Sequence, residues 1–185
     1  MKRIAILGDI GSGKTFVANN FGYPVFNADK EVNKIYKEDR RVFVKLKKLF
    51  PKYISSFPVD KREIAKIILN KKINLKKIIK IIHKEVRKKM KSFIKKNKDK
   101  KIIILDIPLL LENRINKQKD VLIFVESRKK DILKKLVKRK NFNKKLFDKF
   151  KKIQFSTNFK KRKSQFIIQN NFEKKSVKRD IRIIL

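Results

Sequence analysis

The sequence predicts an α/β protein, a mostly parallel five-stranded sheet sandwiched between helices. Three observations carry that expectation. Short apolar runs alternate along the chain with stretches of helical period, the order that builds a parallel sheet covered on both faces. The chain has 185 residues, 41% of them hydrophobic, which is enough to bury a core and too many for a disordered polyelectrolyte. All four glycines fall within the first 22 residues, three of them in one six-residue window, so one short segment must turn tightly or approach a ligand.

Residues 2–7 form a near-continuous apolar run, the pattern of a strand buried on both faces. Gly8–Gly13 interrupts it, and residues 14–21 follow as a helix. Residues 24–27 (PVFN) are a brief second strand. Helices are expected over 28–36 and 39–49, the second ended by Pro51, and 52–59 is a loop. Asp60 is an N-cap for a helix to Leu69. Asn74 caps a long helix on which Leu75, Ile78, Ile79, Ile82, Val86, Met90 and Phe93 recur at three- and four-residue steps. Residues 102–107 (IIILDI), closed by Pro108, give the strongest strand signal, and 121–125 give another. A helix follows at about 128–138, residues 141–159 read as one very basic helix, 166–169 are a last strand, and a helix finishes the chain. Repeats and long linkers are absent from the sequence.

Basic residues number 55 against 17 acidic, a formal charge of +38. Most are lysines scattered in pairs between Lys47 and Lys175, and phenylalanines such as Phe43, Phe50 and Phe93 fall at periodic core positions rather than among clustered basics. That distribution fits solvated faces better than a stacking platform, so no specific nucleic-acid partner is expected. The charge still attracts anionic substrates and polyanions at low salt. Without cysteine, disulfides, thiolate zinc sites and cysteine nucleophiles are excluded. A single histidine, His83, argues against a His-rich metal site or a serine triad. The opening MKRIAILGD meets Asp9 after a four-residue apolar run, which is no signal peptide, and no apolar stretch nears the roughly 18 residues of a membrane span. A cytoplasmic protein away from the membrane, monomeric or weakly homo-oligomeric, is expected.

The glycine window carries the chemistry. Gly8-Asp9-Ile10-Gly11-Ser12-Gly13-Lys14-Thr15 fits G-x-x-x-x-G-K-[ST], the P-loop, with a strand before it and a helix after it. Glycines let successive backbone N–H groups face one concavity, and the helix N-terminus adds positive potential. Lys14 reaches the β- and γ-phosphates, and the Thr15 hydroxyl ligates Mg²⁺. The cradle for ATP comprises Gly11, Ser12, Gly13, Lys14, Thr15 and Phe16. Asp106 ends the IIILD strand at the mouth of the crevice, either sharing the Mg²⁺ with Thr15 or capping its strand. Asp29 follows the second strand and has two readings, an N-cap for a helix beginning near Lys30 and a carboxylate facing an acceptor hydroxyl. One residue can serve as both. Arg139 lies in a very basic stretch with Lys135 four residues earlier; its fork suits a phosphate, and a solvated charge is the alternative.

These residues resemble the dephospho-CoA kinase family. Its P-loop ending I-G-S-G-K-[ST] is matched by Ile10–Thr15, and its D-A-D motif by Asn27-Ala28-Asp29. Its His-containing helix is similar to Ile81–Arg87, and its D-x-P-L-L-[FL]-E signature is matched by Asp106-Ile107-Pro108-Leu109-Leu110-Leu111-Glu112. Lys135, Arg139 and Gln154 resemble lid residues, and Ile167-Ile168-Gln169-Asn170 the V-I-D-N strand. The match runs in order over nearly the whole chain. Departures are Asn27 for the first Asp of D-A-D, Lys84 for a Pro after His83, Gln165 and Gln169 for Asp, and Asp9 for a glycine within the phosphate loop.

The resemblance implies ATP- and Mg²⁺-dependent phosphorylation of the ribose 3′-hydroxyl of dephospho-CoA, the last step of coenzyme A synthesis. It implies a P-loop kinase core (about 1–30, 100–127 and 164–185), a helical acceptor-binding region (about 31–99) and a lid (about 135–160). Lys14, Asp29 and Arg139 become catalytic candidates, with Asp29, His83, Arg87, Leu110 and Glu112 on the acceptor. Asn170 contacts adenine or makes a strand-end turn. The competing reading is another small-molecule P-loop kinase, of nucleoside monophosphate or shikimate type; the Pro108–Glu112 segment together with Asp29 speaks against it.

Overall fold

The computed structural model describes residues 1–138 and 142–185. These form two compact units, Met1–Asn27 with Asn97–Leu185, and Ala28–Lys96.

The first unit is built on an all-parallel sheet of order β2-β3-β1-β4-β5. Its strands are β1 (Lys2–Gly8), β2 (Val25–Asn27), β3 (Ile102–Asp106), β4 (Val121–Glu126) and β5 (Phe166–Gln169). Central β1, β3 and β4 are apolar almost without alternation, because both faces of a parallel sheet are covered. Ile4, Ile6, Ile104, Ile123, Val125 and Ile168 share one core cluster with Val17, Ala18 and Phe21, and with Val177 and Ile181. The first three of those partners belong to or directly follow α1 (Lys14–Asn19), and the last two lie on α9 (Lys174–Ile184). Beneath the sheet's amino edge, Arg3 Nη2 donates to Asp120 Oδ2 at 2.8 Å, and the Lys117 N–H donates to the same oxygen at 2.8 Å. Both side chains of that ion pair are nearly sealed from solvent.

The second unit comprises α2 (Ala28–Glu38), α3 (Arg40–Leu49), α4 (Lys61–Asn70) and α5 (Lys72–Lys96). Asp39 and Asp60 act as N-caps, their carboxylates accepting from Val42 N–H at 3.2 Å and Arg62 N–H at 2.7 Å. Apolar faces carrying Ile35, Val42, Leu46, Ile67, Ile78 and Ile82 are buried. Burial alone pushes the Tyr36 phenol above its ordinary value.

Between β4 and β5 lie α6 (Lys129–Val137), α7 (Lys144–Lys152) and α8 (Thr157–Lys163). The single basic helix expected over 141–159 is therefore two helices; Asn141 itself lies outside the described residues. Ser156 starts the second helix, its hydroxyl accepting from the Phe159 N–H at 3.3 Å. A second correction concerns Asn74. The long helix begins two residues earlier, and the buried Asn74 amide donates to the Ile67 carbonyl of α4 at 2.9 Å, tying two helices together instead of capping one. A third concerns Asp29: α2 begins at Ala28, so Asp29 sits inside the first turn and the N-cap reading near Lys30 fails.

Candidate active site

The sheet's register sets the site. β1 runs into the glycine-rich loop at Gly8, level with Val125 of β4, and Asn27 at the end of β2 pairs with Asp106 at the end of β3. Asn170 follows the end of β5. The carboxyl ends of the strands thus converge on one edge, where open parallel sheets bind ligands.

Gly11 and Gly13 hold φ of 87° and 85°, left-handed backbone that costs a residue with a Cβ about 1–2 kcal/mol. A Cβ on Gly13 would also press within 2.8 Å of the Phe172 ring. Between these glycines Ser12 is buried, and its carbonyl accepts from Asn170 Nδ2 at 2.8 Å and Ser127 Oγ at 2.9 Å. The Ser12 hydroxyl is buried without a hydrogen-bond partner among the described residues. Such a group costs about 1–3 kcal/mol, which an anionic oxygen in the cradle would offset. On that count the loop fits a phosphate-bearing ligand.

Lys14 folds back over the loop, Nζ donating to the Gly8 and Asp9 carbonyls at 3.1 and 2.9 Å. Next to it, Thr15 Oγ1 donates to Asp106 Oδ2 at 2.6 Å, and Asn27 Nδ2 donates to that same oxygen at 2.6 Å. Asp106 is 3% exposed. A hydroxyl and a carboxylate drawn from α1 and β3 make a hard-oxygen donor pair, the kind Mg²⁺ uses when waters and substrate phosphates complete its shell. Groups of three or more potential acidic or His ligands are absent among the described residues.

The Asp9 side chain is tied to α8. Its carboxylate accepts from Thr157 Oγ1 at 2.7 Å and from Lys160 Nζ at 2.6 Å, both on α8. Burial raises the Asp9 pKa, but the hydrogen bonds from Lys160 and Thr157 and the charges of Lys160 and Lys14 outweigh it and hold the carboxyl below its ordinary value. Glu126, ending β4, is likewise held low, chiefly by a hydrogen bond from Lys161 and then by one from Gln169.

Asn170 is 2% exposed; besides bracing Ser12, its Oδ1 accepts from the Phe172 N–H at 2.9 Å. Each end of its amide has a partner, the Ser12 carbonyl and the Phe172 N–H, as a strand-end turn requires. Phe16 packs against the core cluster. Leu110 is a core residue at 1% exposure, and Glu112 Oε1 accepts from the Phe155 N–H at 2.8 Å. His83 (half-buried) and Arg87 (exposed) lie one turn apart on α5, and Asp29 is exposed on α2. Arg139 lies outside the described residues.

Asn27, which stands where the D-A-D motif has its first Asp, donates to Asp106 as an ionised Asp could not. Three further features of the site have no motif to announce them. Ser127 joins Ser12 to Asn170, its hydroxyl bonded to both carbonyls at 2.9 Å. Phe172, at φ 67°, lies under Lys135, whose ammonium is 4.2 Å from the ring centroid. Lys160 is buried, which nothing distinguishes in a chain with this many lysines.

A parallel sheet with a P-loop after its central strand, and a Thr–Asp pair at the same edge, defines a P-loop nucleotide-binding protein. The family model described as "Dephospho-CoA kinase" matches residues 3–176. The chain belongs to the dephospho-CoA kinase family. It is 33% identical to the dephospho-CoA kinase of Wolbachia pipientis wMel over 179 residues, covering 94% of this chain and 91% of that protein. In fold it is similar to a protein from Thermus thermophilus (TM-score 0.80, 22% identity, covering 99% of this chain and 95% of that one). It is also similar to the dephospho-CoA kinase from Campylobacter jejuni (TM-score 0.64, 21% identity, 99% and 95%).

Proposed function

We propose that this enzyme transfers the γ-phosphoryl group of ATP to the ribose 3′-hydroxyl of dephospho-CoA. The observation that carries the reading, beside family membership, is the convergence of Thr15 and Asp106 at 2.6 Å next to a P-loop holding an unpartnered buried hydroxyl.

Phosphoryl transfer asks a protein mainly to position two oxygens in line and to neutralise charge on the transferred group. The loop's N–H groups from Gly11 to Thr15 and the Ser12 hydroxyl hold the triphosphate. Lys14 exchanges its two carbonyl partners for phosphate oxygens, a short movement because its ammonium already lies over the loop. Thr15 and Asp106 would hold Mg²⁺, which when bound neutralises phosphate charge and fixes phosphate geometry. Asn27 and Asn170 act through others: the first orients Asp106, the second shapes the loop.

Asp29 orients the acceptor hydroxyl and accepts its proton as transfer proceeds. His83 and Arg87 supply contacts to the acceptor's phosphates or adenosine from the helical unit, Ala28–Lys96. Glu112 and Leu110 support the acceptor site from the turn after β3, Leu110 by packing and Glu112 by holding the Phe155 backbone. Residues 135–160 form the lid, with Arg139 closing on the phosphoryl oxygens.

The test is ADP release by purified protein with ATP and Mg²⁺, offering dephospho-CoA, AMP, CMP and shikimate separately at about 0.15 M salt to suppress polyanion binding. Turnover with dephospho-CoA alone, giving a 3′-phosphorylated product, is expected. Turnover with another acceptor in its place would overturn the substrate assignment and keep the phosphate-loop chemistry.

A further inference from the structure

Phosphate loops bind polyanions, so an acidic side chain within one works against its ligand through charge. In this chain Asp9 stands at such a position, and Glu126 stands at the end of the neighbouring strand β4, electrostatically coupled to it. Each is met by a lysine of the same helix. Lys160 bonds Asp9 at 2.6 Å and Lys161 bonds Glu126. Lys160 is the unusual partner: its side chain is 4% exposed, whereas lysines elsewhere on α8 remain in solvent or half-buried. A buried ammonium persists only where a carboxylate and further acceptors hold it.

We propose that Lys160 is a positioning residue for ATP binding, cancelling the charge of Asp9 and anchoring α8 to the phosphate loop. The inference rests on the kinase reading above and adds to it two residues that touch no substrate. Thr157, on the first turn of α8, supplies the second tie through its hydroxyl at 2.7 Å. The Asp9 backbone carbonyl accepts from Lys14, so the residue that α8 grips by its side chain also holds the phosphate-binding lysine by its main chain. The groups facing Asp9 are therefore Lys14 from α1, Thr157 and Lys160 from α8, and Glu126 from β4.

The test is a double-mutant comparison of Lys160→Met, Asp9→Asn and the two combined. It reads kcat and KM for ATP with saturating dephospho-CoA, and ATP affinity by equilibrium titration without acceptor. Removing the lysine alone leaves a carboxylate uncompensated beside the triphosphate. The expected result is an ATP affinity loss of about thirtyfold or more for Lys160→Met, on the scale of truncating one partner of a buried charge pair, with a smaller change in kcat. Adding Asp9→Asn should restore affinity to the level of Asp9→Asn alone. Rescue is the signature, since a lysine needed only for packing is not replaced by removing a second charge. An unrescued double variant, or an unchanged affinity for Lys160→Met, overturns the proposal. If Lys160→Met fails to fold, Lys160→Gln poses the same question with a neutral side chain of similar reach. A wild-type chain that binds ATP yet transfers nothing to dephospho-CoA would sink the acceptor reading, while the titrations still decide this inference.

Discussion

Asn170→Ala separates two roles that one amide can play. The Asn170 side chain makes two hydrogen bonds from a 2% exposed position, donating to the Ser12 carbonyl and accepting from the Phe172 N–H. Truncation removes both and strips the Phe172 N–H of its side-chain partner; Ser127 still serves the Ser12 carbonyl. Two lost bonds at about 0.5–1.5 kcal/mol each, with a further cost for the stranded N–H, give a destabilisation of about 2–4 kcal/mol. In a chain of this size each kcal/mol moves the melting midpoint by about 2–4 °C, so a fall of roughly 8 °C is expected by thermal denaturation. ATP affinity should fall with it, because the cradle around Ser12 loosens. A midpoint within about 2 °C of wild type, accompanied by a large rise in KM for ATP, would refute the bracing argument and return Asn170 to the adenine.

Other expectations are independent of that one. Lys14→Ala and Asp29→Asn should each lower kcat by roughly two to four orders of magnitude with circular dichroism unchanged; near-normal turnover for Asp29→Asn would remove it from the reaction. Asp120→Ala leaves the Arg3 guanidinium buried without its counter-charge and should cost about 3–5 kcal/mol in denaturant unfolding, whereas a loss below about 1 kcal/mol would mean that water reaches the pair. Asp9 has a pKa below its ordinary value, so its stabilising contribution is present above the unfolded carboxyl range near about 4 and is lost as pH falls through the folded value. The melting-temperature gap between wild type and Asp9→Asn should accordingly close on acidification from pH near about 6 to about 3, and a gap that stays constant contradicts the sign. Arg139→Lys should slow turnover about tenfold if the bidentate fork grips the phosphoryl group; unchanged kinetics would leave it a solvated charge.

Local sequence determined the parts of this protein that depend on neighbours along the chain. The P-loop is legible because its left-handed glycines, its lysine and its threonine lie within eight residues, and the strands because burial on both faces demands unbroken apolar runs. The N-cap role of Asp60 is legible for the same reason, its carboxylate bonding the N–H two residues ahead. Where a side chain finds a distant partner, the local pattern misleads. Asn74 sits near a helix start but bonds Ile67 seven residues back, and the basic helix expected over 141–159 stops at Lys152 and restarts after the Ser156 cap.

What only the tertiary structure decided was pairing across the sheet's carboxyl edge. Asn27 and Asp106 are 79 residues apart in the chain, Ser12 and Asn170 are 158 apart, and Asp9 and Lys160 are 151 apart. Nothing in local spacing brings such residues together; the parallel register and the order of the strands do. Composition hid Lys160 most completely. A buried lysine in a chain this rich in lysine is distinguishable only once the fold has put a carboxylate beside it, because burial of a charge is a property of its surroundings and not of its sequence.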